Sequence, residues 1–320
     1  MSMNLTVGEC AEKRLSEALA LAQRTFQKTE APLQSRHGRD AFVRDLLRNR
    51  SLFKQVEQGE VRLFGVFDDE RLCGCCLLKQ SHIMLLCIES RYRRSDACPL
   101  LLDYLRTIYP NLTASIWPTD AALLRDCGFI EDKICDENGL KRLFMHSCDV
   151  APTHEIWDLR DELGEPTGRY ASRNQYRHLH AGEYMLAVHI FLHTPDGRFL
   201  IQKRSTEKDV LPGVWDITGG AAKIGEDGQA AAIRETKEEV GISLSPAQLH
   251  LADRLKRKRS FVELWFACLP IDPRACVPQQ GEVDQVKLVS KRELLNLIQK
   301  AKHRDAIYKR AAAKAINDLG

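Results

Sequence analysis

The sequence predicts two consecutive α/β domains, a mixed α/β domain followed by an α/β/α sandwich. The chain has 320 residues, which exceeds the size at which single hydrophobic cores usually stop growing. Nine of its 11 cysteines precede residue 150, so the two halves differ in composition. Between Cys148 and His154 the apolar pattern stops, and Pro152 disfavours a helix through this point. We therefore predict domains at residues 1–150 and 151–320.

Composition limits the partners and the compartment. Hydrophobic residues make up 44% of the chain, charged residues make up 28%, and the formal net charge is +3. These values are ordinary for a globular protein and give no field that would attract nucleic acid. The sequence has no apolar run as long as a membrane span and no signal-peptide pattern, and an odd number of cysteines favours reduced thiols. We predict a cytoplasmic protein that binds neither nucleic acid nor membranes.

Strand and helix patterns alternate in the first half of the chain. Two apolar runs surround Asp68-Asp69-Glu70-Arg71, which predicts a β-hairpin. A strand, a helix, a strand and a short helix follow, and Gly128 ends the last of these in a left-handed conformation. These elements span residues 61–67, 73–79, 83–88, 99–108, 112–116 and 119–126. Their order predicts a mixed α/β domain.

The second half combines strands with three helices. Apolar runs at 185–192 and 199–203 flank Pro195-Asp196-Gly197, and Asp-Gly is a strong turn signal between strands. A helix at about 229–240 and strands at 261–269 and 286–289 come next. Ser290 and Glu293 form a capping-box pattern before another helix, and a basic helix follows His303. These elements predict an α/β/α sandwich.

The residues that carry chemistry lie on the helix at about 229–240. Glu235, Glu238 and Glu239 fall at positions i, i+3 and i+4, which stacks three carboxylates on one face. Like charges so placed repel each other, so the arrangement favours a divalent cation that neutralises them. Mg²⁺ prefers hard oxygen ligands and keeps several waters, which suits a site that also holds a phosphate.

Residues around these glutamates predict a supporting frame. Arg234 has a planar fork of donors that can hold carboxylates in place. Gly219 and Gly220 allow the backbone to approach a metal or a phosphate, and Gly241 ends the helix in a left-handed conformation. The glycine-rich loop before the helix lets Glu226 fold back toward the site.

The simpler interpretation is a solvated acidic helix face, which is the usual meaning of a run rich in Glu and Lys. Seven fixed Gly, Glu and Arg positions would coincide by chance on the order of once in 10⁸ windows, given the ordinary frequencies of these residues. The spacing therefore favours a functional motif.

Residues 220–242 resemble the Nudix box, Gly-x5-Glu-x7-Arg-Glu-U-x-Glu-Glu-x-Gly-U, in which U is a bulky aliphatic residue. Thr236 departs from the pattern at the first U position, where its hydroxyl needs a partner. The resemblance implies a hydrolase that cleaves a diphosphate linkage in a small molecule with Mg²⁺, or with Mn²⁺ in its place.

The resemblance also implies roles for individual residues. The implied metal site comprises Glu235, Glu238, Glu239 and Gly220, supported by Glu226, Arg234, Gly219 and Gly241. Glu235 is a candidate for activating water. In some Nudix enzymes the base comes from a later loop, and Glu282 is the candidate for that role, the alternative being an ordinary loop charge.

Residues 155–300 resemble the branch of Nudix proteins related to isopentenyl-diphosphate isomerase. The resemblance rests on Glu155-Ile156-Trp157-Asp158, Asp161-Glu162-Leu163-Gly164, His189, Gln202-Lys203-Arg204-Ser205 and Leu211-Pro212-Gly213-Val214-Trp215-Asp216. It implies that Arg204, and with it Lys203, meets substrate phosphate, although a solvated basic pair is the alternative. The isomerase needs a cysteine just before the box, where this chain has Gly219, so isomerisation is not expected.

Residues 61–129 resemble the Gcn5-related N-acetyltransferase fold, which in working members binds the pyrophosphate of acetyl-CoA at a glycine-rich loop before a helix. The corresponding stretch runs from Arg93 to Cys98, and Asp96 and Cys98 stand where glycines belong. We therefore expect a degenerate domain that binds an effector, assists substrate recognition or mediates contacts in a homodimer.

Three functional hypotheses follow from these patterns. The leading one is an Mg²⁺-dependent Nudix pyrophosphohydrolase acting on a nucleoside diphosphate derivative or a related organic diphosphate. The second is a non-catalytic sensor that binds a diphosphate, which the retention of all four box glutamates disfavours. The third is a bifunctional acetyltransferase and hydrolase, which rests on fold resemblance alone.

Overall fold

The structure is a computed structural model that describes residues 3–137, 140–148, 154–208 and 210–319. It divides into two compact units. The first comprises Met1–Ile156 and Gly168–Leu179, and the second comprises Trp157–Thr167 and His180–Gly320. The predicted boundary between residues 150 and 151 lies outside the described residues. Within those ranges, every helix is too short or too polar to span a bilayer.

The first unit is a mixed α/β domain built on one sheet. Its elements are β1 (Leu5–Glu9), α1 (Leu15–Thr29), α2 (Arg36–Phe42), α3 (Arg50–Glu57), β2 (Val61–Asp68), β3 (Arg71–Lys79), β4 (His82–Ile88), α4 (Ala97–Ile108), β5 (Thr113–Ile116), α5 (Ala121–Arg125), β6 (Phe129–Glu137) and β7 (Leu140–Ser147). The strand β8 (Ile156–Arg160) belongs to the second unit from Trp157 onward, and β9 (Pro166–Ser172) belongs to the first unit from Gly168 onward. The strands of this unit lie in the order β6-β7-β5-β4-β3-β2-β1-β9. Phe26, Phe42 and Trp117 belong to the core that the helices form with the sheet.

The sequence pattern predicted the elements between residues 61 and 126 of this unit. The hairpin, the strand, the helix, the second strand and the short helix between residues 61 and 126 are confirmed with ends shifted by one or two residues. Gly128 adopts a left-handed φ of +78°, as predicted. The strands β1, β6 and β7 and the helices α1–α3 are not among the elements predicted above.

The second unit contains the acidic motif. Its elements after β9 are β10 (Met185–His193), β11 (Arg198–Arg204), β12 (Trp215–Asp216), β13 (Thr218–Ala221), α6 (Gly228–Val240), β14 (Leu249–Lys256), β15 (Ser260–Cys268), β16 (Val283–Ser290), α7 (Lys291–Lys300) and α8 (Ala306–Asp318). The strands lie in the order β12-β11-β10-β15-β14, with β13 paired to β10 and β16 paired to β11. The capping box at Ser290 and Glu293 is confirmed.

Two apolar cores lie on opposite faces of this second sheet because side chains alternate along each strand. Val188 of β10 packs in the same core as Ala231 and Val240 of α6. Phe191, three residues farther along β10, packs in the other core with Tyr308 of α8. The predicted fold class, a mixed α/β domain followed by an α/β/α sandwich, is therefore confirmed.

The motif lies where β10 and β11 separate. These two strands pair at His193 and Phe199. Nearer the start of β10, residues Ala187 to Ile190 pair instead with β13. The strand β13 leads directly into the loop before α6, so the sheet fixes the start of the acidic motif.

Candidate active site

The helix α6 carries the predicted carboxylates and has a defined start and end. The Asp227 side chain caps it by accepting a hydrogen bond from the Ala230 N–H at 2.8 Å. Gly241 ends it with a left-handed φ of +75°. A Cβ at Gly241 would also lie 2.9 Å from Val277 Cβ. Glycine is therefore required here for both conformation and space.

Arg234 connects three of the four motif carboxylates. Its Nε and Nη2 donate to the two carboxylate oxygens of Glu226, at 2.7 and 2.8 Å. Its Nη1 donates to Glu235 at 2.7 Å and to Glu238 at 2.9 Å. The remaining Nη2 hydrogen reaches the Ala221 carbonyl at 2.9 Å. The guanidinium therefore works as the predicted fork and compensates much of the repulsion along the helix face.

The carboxylates differ in their surroundings. Burial disfavours the charged form of Glu226, but the hydrogen bonds from Arg234 and the Lys223 N–H, together with the charges of these two residues, outweigh burial and lower the pKa of this carboxyl. The Glu226 carboxylate also accepts the Lys223 N–H at 2.8 Å, which folds the loop back toward α6 as predicted. The Glu238 side chain is 38% exposed and lies 3.5 Å from Lys223 Nζ.

Glu239 is the buried carboxylate of the group, at 5% exposure. Its Oε2 accepts hydrogen bonds from Gln202 Nε2 at 2.7 Å and from the Gly219 N–H at 3.0 Å. Burial raises the pKa of Glu239 to about 7, and the nearby charge of Glu235 acts in the same direction. Glu239 is therefore withdrawn from solvent and close enough to Glu235 for their charges to interact.

The two glycines before the loop leave room for these carboxylates. A Cβ at Gly220 would overlap the Glu235 carboxylate, and one at Gly219 would overlap the Val188 carbonyl. The pairing of β13 with β10 places both glycines against the motif, so neither position has space for a side chain.

The basic residues at the end of β11 face in different directions. Gln202 faces α6, where it binds Glu239. The strand register shifts between Lys203 and Arg204, and the charge of Arg204 opposes the raised pKa of Glu239. Lys203 alternates to the opposite face, where its partner in the neighbouring strand β12 is Trp215. Arg204 is thus the cation of this pair that lies beside the acidic motif.

The donor set fits a hard divalent cation. Carboxylate oxygens from α6 and the backbone of Gly220 are the ligands that Mg²⁺ and Mn²⁺ accept. In the described ranges, no three His, Cys, Asp or Glu side chains converge as a ready-made cage. Arg234 forms ion pairs with both Glu235 and Glu238.

Comparison with known proteins identifies this motif. The family model of the NUDIX domain matches residues 183–311. An uncharacterized Nudix hydrolase of Listeria monocytogenes is 33% identical to this chain over 141 residues, which cover 44% of this chain and 82% of the relative.

The chain belongs to the Nudix hydrolase family.

Two solved structures resemble parts of this Nudix protein. The DR0079 protein of Deinococcus radiodurans is 20% identical, covers 51% of this chain and 98% of its own length, and gives a TM-score of 0.39. A GCN5-related N-acetyltransferase from Rhodopseudomonas palustris is 16% identical, covers 46% of this chain and 98% of its own length, and also gives a TM-score of 0.39.

Thr236, the residue that departs from the Nudix box, is fully buried. Its hydroxyl donates to the Ala232 carbonyl one turn earlier, at 2.7 Å. The prediction that this hydroxyl needs a partner is confirmed, and the partner is the backbone of the helix itself.

Glu282, the alternative base, lies in a loop that is hydrogen-bonded to the end of α6 and to the residue that follows β11. The loop donates the Gln279 N–H to the Glu239 carbonyl at 3.1 Å, and the Ser205 N–H donates to the Glu282 carbonyl at 2.8 Å. The Glu282 carboxylate forms an ion pair with Lys208, which is mostly buried. A base at Glu282 would therefore have to act beside a lysine.

Three contributors to the Nudix site were not singled out as site residues from the sequence. Gln202 binds Glu239, Lys208 binds Glu282, and Asp158 accepts the Gly225 N–H at 2.8 Å. Gln202 and Asp158 lie in stretches that carry the family resemblance. Their contacts join a strand to a helix and a strand to a loop, across 37 and 67 residues of chain, and local spacing does not reveal them.

Proposed function

We propose that this protein is an Mg²⁺-dependent pyrophosphohydrolase that cleaves the diphosphate linkage of a nucleoside diphosphate derivative or a related organic diphosphate. The observation that carries the proposal is the set of ion pairs that Arg234 forms with Glu226, Glu235 and Glu238, next to the buried Glu239. An acidic face built only for solubility would need neither a buried carboxylate nor a shared guanidinium.

The proposed metal ligands are Glu235, Glu238, Glu239 and the backbone of Gly220, with Mn²⁺ as a substitute for Mg²⁺. When bound, the metal neutralises phosphate oxygens and acidifies water for attack on phosphorus. Glu235 is the proposed proton acceptor because it lies against Gly220 and beside Glu239. Glu282 is the second candidate, and its ion pair with Lys208 disfavours it.

Other residues of this site have proposed supporting roles. Arg204 would bind a substrate phosphate because its charge already acts on the acidic motif. Lys203 would contribute only through its long-range positive charge, since its side chain lies on the face of the sheet opposite α6. Glu226 and Arg234 keep the carboxylates oriented, and Gly219 holds Glu239 through its N–H.

The branch related to isopentenyl-diphosphate isomerase remains the proposed origin of the second domain. Gly219 has no side chain with which to take the place of that enzyme's cysteine, and a Cβ there would overlap Val188. Hydrolysis rather than isomerisation is therefore the proposed reaction.

The first domain is proposed to bind an effector, assist substrate recognition or mediate a homodimer contact rather than transfer acetyl groups. The Arg93 guanidinium, which a pyrophosphate-binding loop would need, is bound to Asp120 and to the Thr119 carbonyl. Asp96 is the N-cap residue of α4, where its negative charge would repel a phosphate.

The test is a phosphate-release screen of the full chain with Mg²⁺ against nucleoside diphosphates and triphosphates, ADP-ribose, nucleotide sugars and prenyl diphosphates. Replacing Glu238 or Glu239 with Gln should lower turnover of the best substrate by at least about 100-fold, because metal-assisted charge stabilisation is worth several kcal/mol. Glu165→Gln, an exposed carboxyl in the same unit, is the matched control. Equal turnover in all variants would contradict the proposal.

A further inference from the structure

The loop that precedes the motif helix needs support from outside the box. Residues 222–227 connect β13 to α6 and include Gly225 in a left-handed conformation, with φ of +77°. The local contacts within it are the Glu226 N–H donating to the Lys223 carbonyl at 3.0 Å and the Lys223 N–H donating to the Glu226 carboxylate at 2.8 Å. A glycine-containing turn with so few bonds has high conformational entropy when it is not held elsewhere.

The strand β8 provides this support. Asp158 Oδ2 accepts the Gly225 N–H at 2.8 Å. Arg160 is 8% exposed, and its guanidinium donates to the Gly164 carbonyl at 3.0 Å and to the Glu226 carbonyl at 3.4 Å. Asp158 and Arg160 therefore bind two consecutive residues of the loop, Gly225 and Glu226, shortly before α6 begins.

The support is itself anchored to the sheet of the same unit. The backbones of Arg160 and Tyr184 exchange two hydrogen bonds, at 2.7 and 2.9 Å, directly before β10 begins. Trp157 is buried and packs with Met185 and Ala221. Asp158 thus lies between two residues that fix β8 against the strands from which the loop departs.

We propose that Asp158 and Arg160 are positioning residues that set the divalent-cation affinity of the site by fixing Glu226. Asp158 binds the N–H of Gly225, the residue directly before Glu226. Glu226 in turn accepts two hydrogen bonds from Arg234. Arg234 also holds Glu235 and Glu238, so a displaced Glu226 leaves this guanidinium free to compete with a metal for them.

This inference rests on the proposed function and extends it beyond the Nudix domain. Asp158 and Arg160 precede residue 183, where the match to the family model begins. These two residues of β8 therefore belong to the working site, although they contribute no metal ligand.

The experiment measures Mn²⁺ binding by the metal-free full chain, with free Mn²⁺ followed by electron paramagnetic resonance, and so does not depend on knowing the substrate. Asp158→Ala should weaken binding by about three- to tenfold, somewhat less than the loss typical of residues that contact metal ligands directly. Asp158→Asn keeps an acceptor oxygen and should stay within about twofold of the parent. Glu165→Ala removes an exposed carboxyl from the same unit and should bind like the parent.

Arg160→Lys is the second variant, chosen because lysine keeps the charge but cannot reach two carbonyls with a planar fork. It should weaken Mn²⁺ binding by about two- to fivefold. Melting temperatures of the same samples separate folding from affinity. Unchanged affinity in both Asp158→Ala and Arg160→Lys would overturn the inference. A parent protein that binds no Mn²⁺ at all would instead overturn the proposed metal site, and the positioning role with it.

Discussion

Thr236 occupies a position at which the Nudix box carries a bulky aliphatic residue. Its methyl group lies in a fully buried environment, and its hydroxyl is used only for the bond to the Ala232 carbonyl. In an α-helix that carbonyl also accepts the N–H four residues later, so it does not depend on the hydroxyl. Such a bond within a helix adds little stability and competes with the regular ladder.

We therefore predict that Thr236→Val raises the free energy of unfolding by about 0.5–1 kcal/mol, because a methyl group replaces a buried hydroxyl of similar size. Turnover should not change, since this side chain faces away from the carboxylates. Urea unfolding provides the measurement. Thr107→Val is the control, because the Thr107 hydroxyl also donates to a helix carbonyl, that of Tyr104 three residues earlier, but at an exposed position. A loss above about 1 kcal/mol in Thr236→Val would show that the hydroxyl is required.

At the scale of the element, the start of α6 depends on a buried carboxylate. Glu263 of β15 is 1% exposed, and its two oxygens accept hydrogen bonds from Arg254 at 2.6 Å and from Trp265 Nε1 at 2.9 Å. A Cβ at Gly228, the first residue of α6, would overlap this carboxylate. A negative charge at a helix N-terminus is favourable, so Glu263 also stabilises α6 through its dipole.

Two effects of Gly228→Ala oppose each other. Alanine favours a helix over glycine by at most about 1 kcal/mol. Overpacking a buried site costs about 1–3 kcal/mol, and Glu263 cannot move without losing Arg254 or Trp265. We predict net destabilisation by about 1–2 kcal/mol, measured by urea unfolding. Gln229→Ala, one position later, should change stability by less than about 0.5 kcal/mol; a more stable Gly228→Ala variant would mean that Glu263 moves aside freely.

Elements with a local pattern could be predicted, and elements made by pairing could not. The helix α6 begins one residue from its predicted start because spacing, cap and terminal glycine all agree. The strand β13 reads Thr-Gly-Gly-Ala and has no intrinsic strand preference; it is extended because β10 pairs with it. The helix α1 is different, since its buried Leu15, Leu19 and Phe26 have helical spacing that the sequence already shows.

The same distinction applies to the site. The sequence contained the spacing of the glutamates and of Arg234, because one helix holds them. It could not show that Gly219 and Gln202 would meet Glu239, because these contacts depend on three separate elements. The raised pKa of Glu239 follows from that tertiary burial and has no local sequence signal.

At the scale of the second unit, a polar cluster attaches α8 to the sheet. Arg304 donates to both carboxylate oxygens of Asp216, at 3.0 and 2.9 Å, and its Nη1 lies 2.9 Å from His189 Nε2. Tyr308 stacks under the guanidinium at 4.5 Å. Burial favours the neutral form of Asp216, but hydrogen bonding to His303 and the charge of Arg304 lower the pKa of this carboxyl below its usual range.

His189 makes the stability of this unit depend on pH. Burial, and after it the positive charge of Arg304, hold the pKa of the His189 ring well below its usual range, with Arg257 and His303 adding to this and Asp216 opposing it. In the unfolded chain the ring has an ordinary pKa near about 6.5. Below that value the unfolded state binds a proton that the native state rejects, so stability falls as the pH decreases, by up to about 1.4 kcal/mol per pH unit for one group.

We predict that lowering the pH from about 7 to about 5 reduces the free energy of unfolding more in the parent than in His189→Gln, which carries no titrating ring at this position. The comparison is needed because His154, in the first unit, has a raised pKa through its hydrogen bond to Asp103 and so acts in the opposite direction in both proteins. Subtracting the two profiles of unfolding free energy against pH cancels the contribution of His154, which both proteins share, and leaves the contribution of His189. Parallel profiles for the parent and His189→Gln would mean that the native state accepts the proton, with Arg304 moving away from the ring to accommodate it.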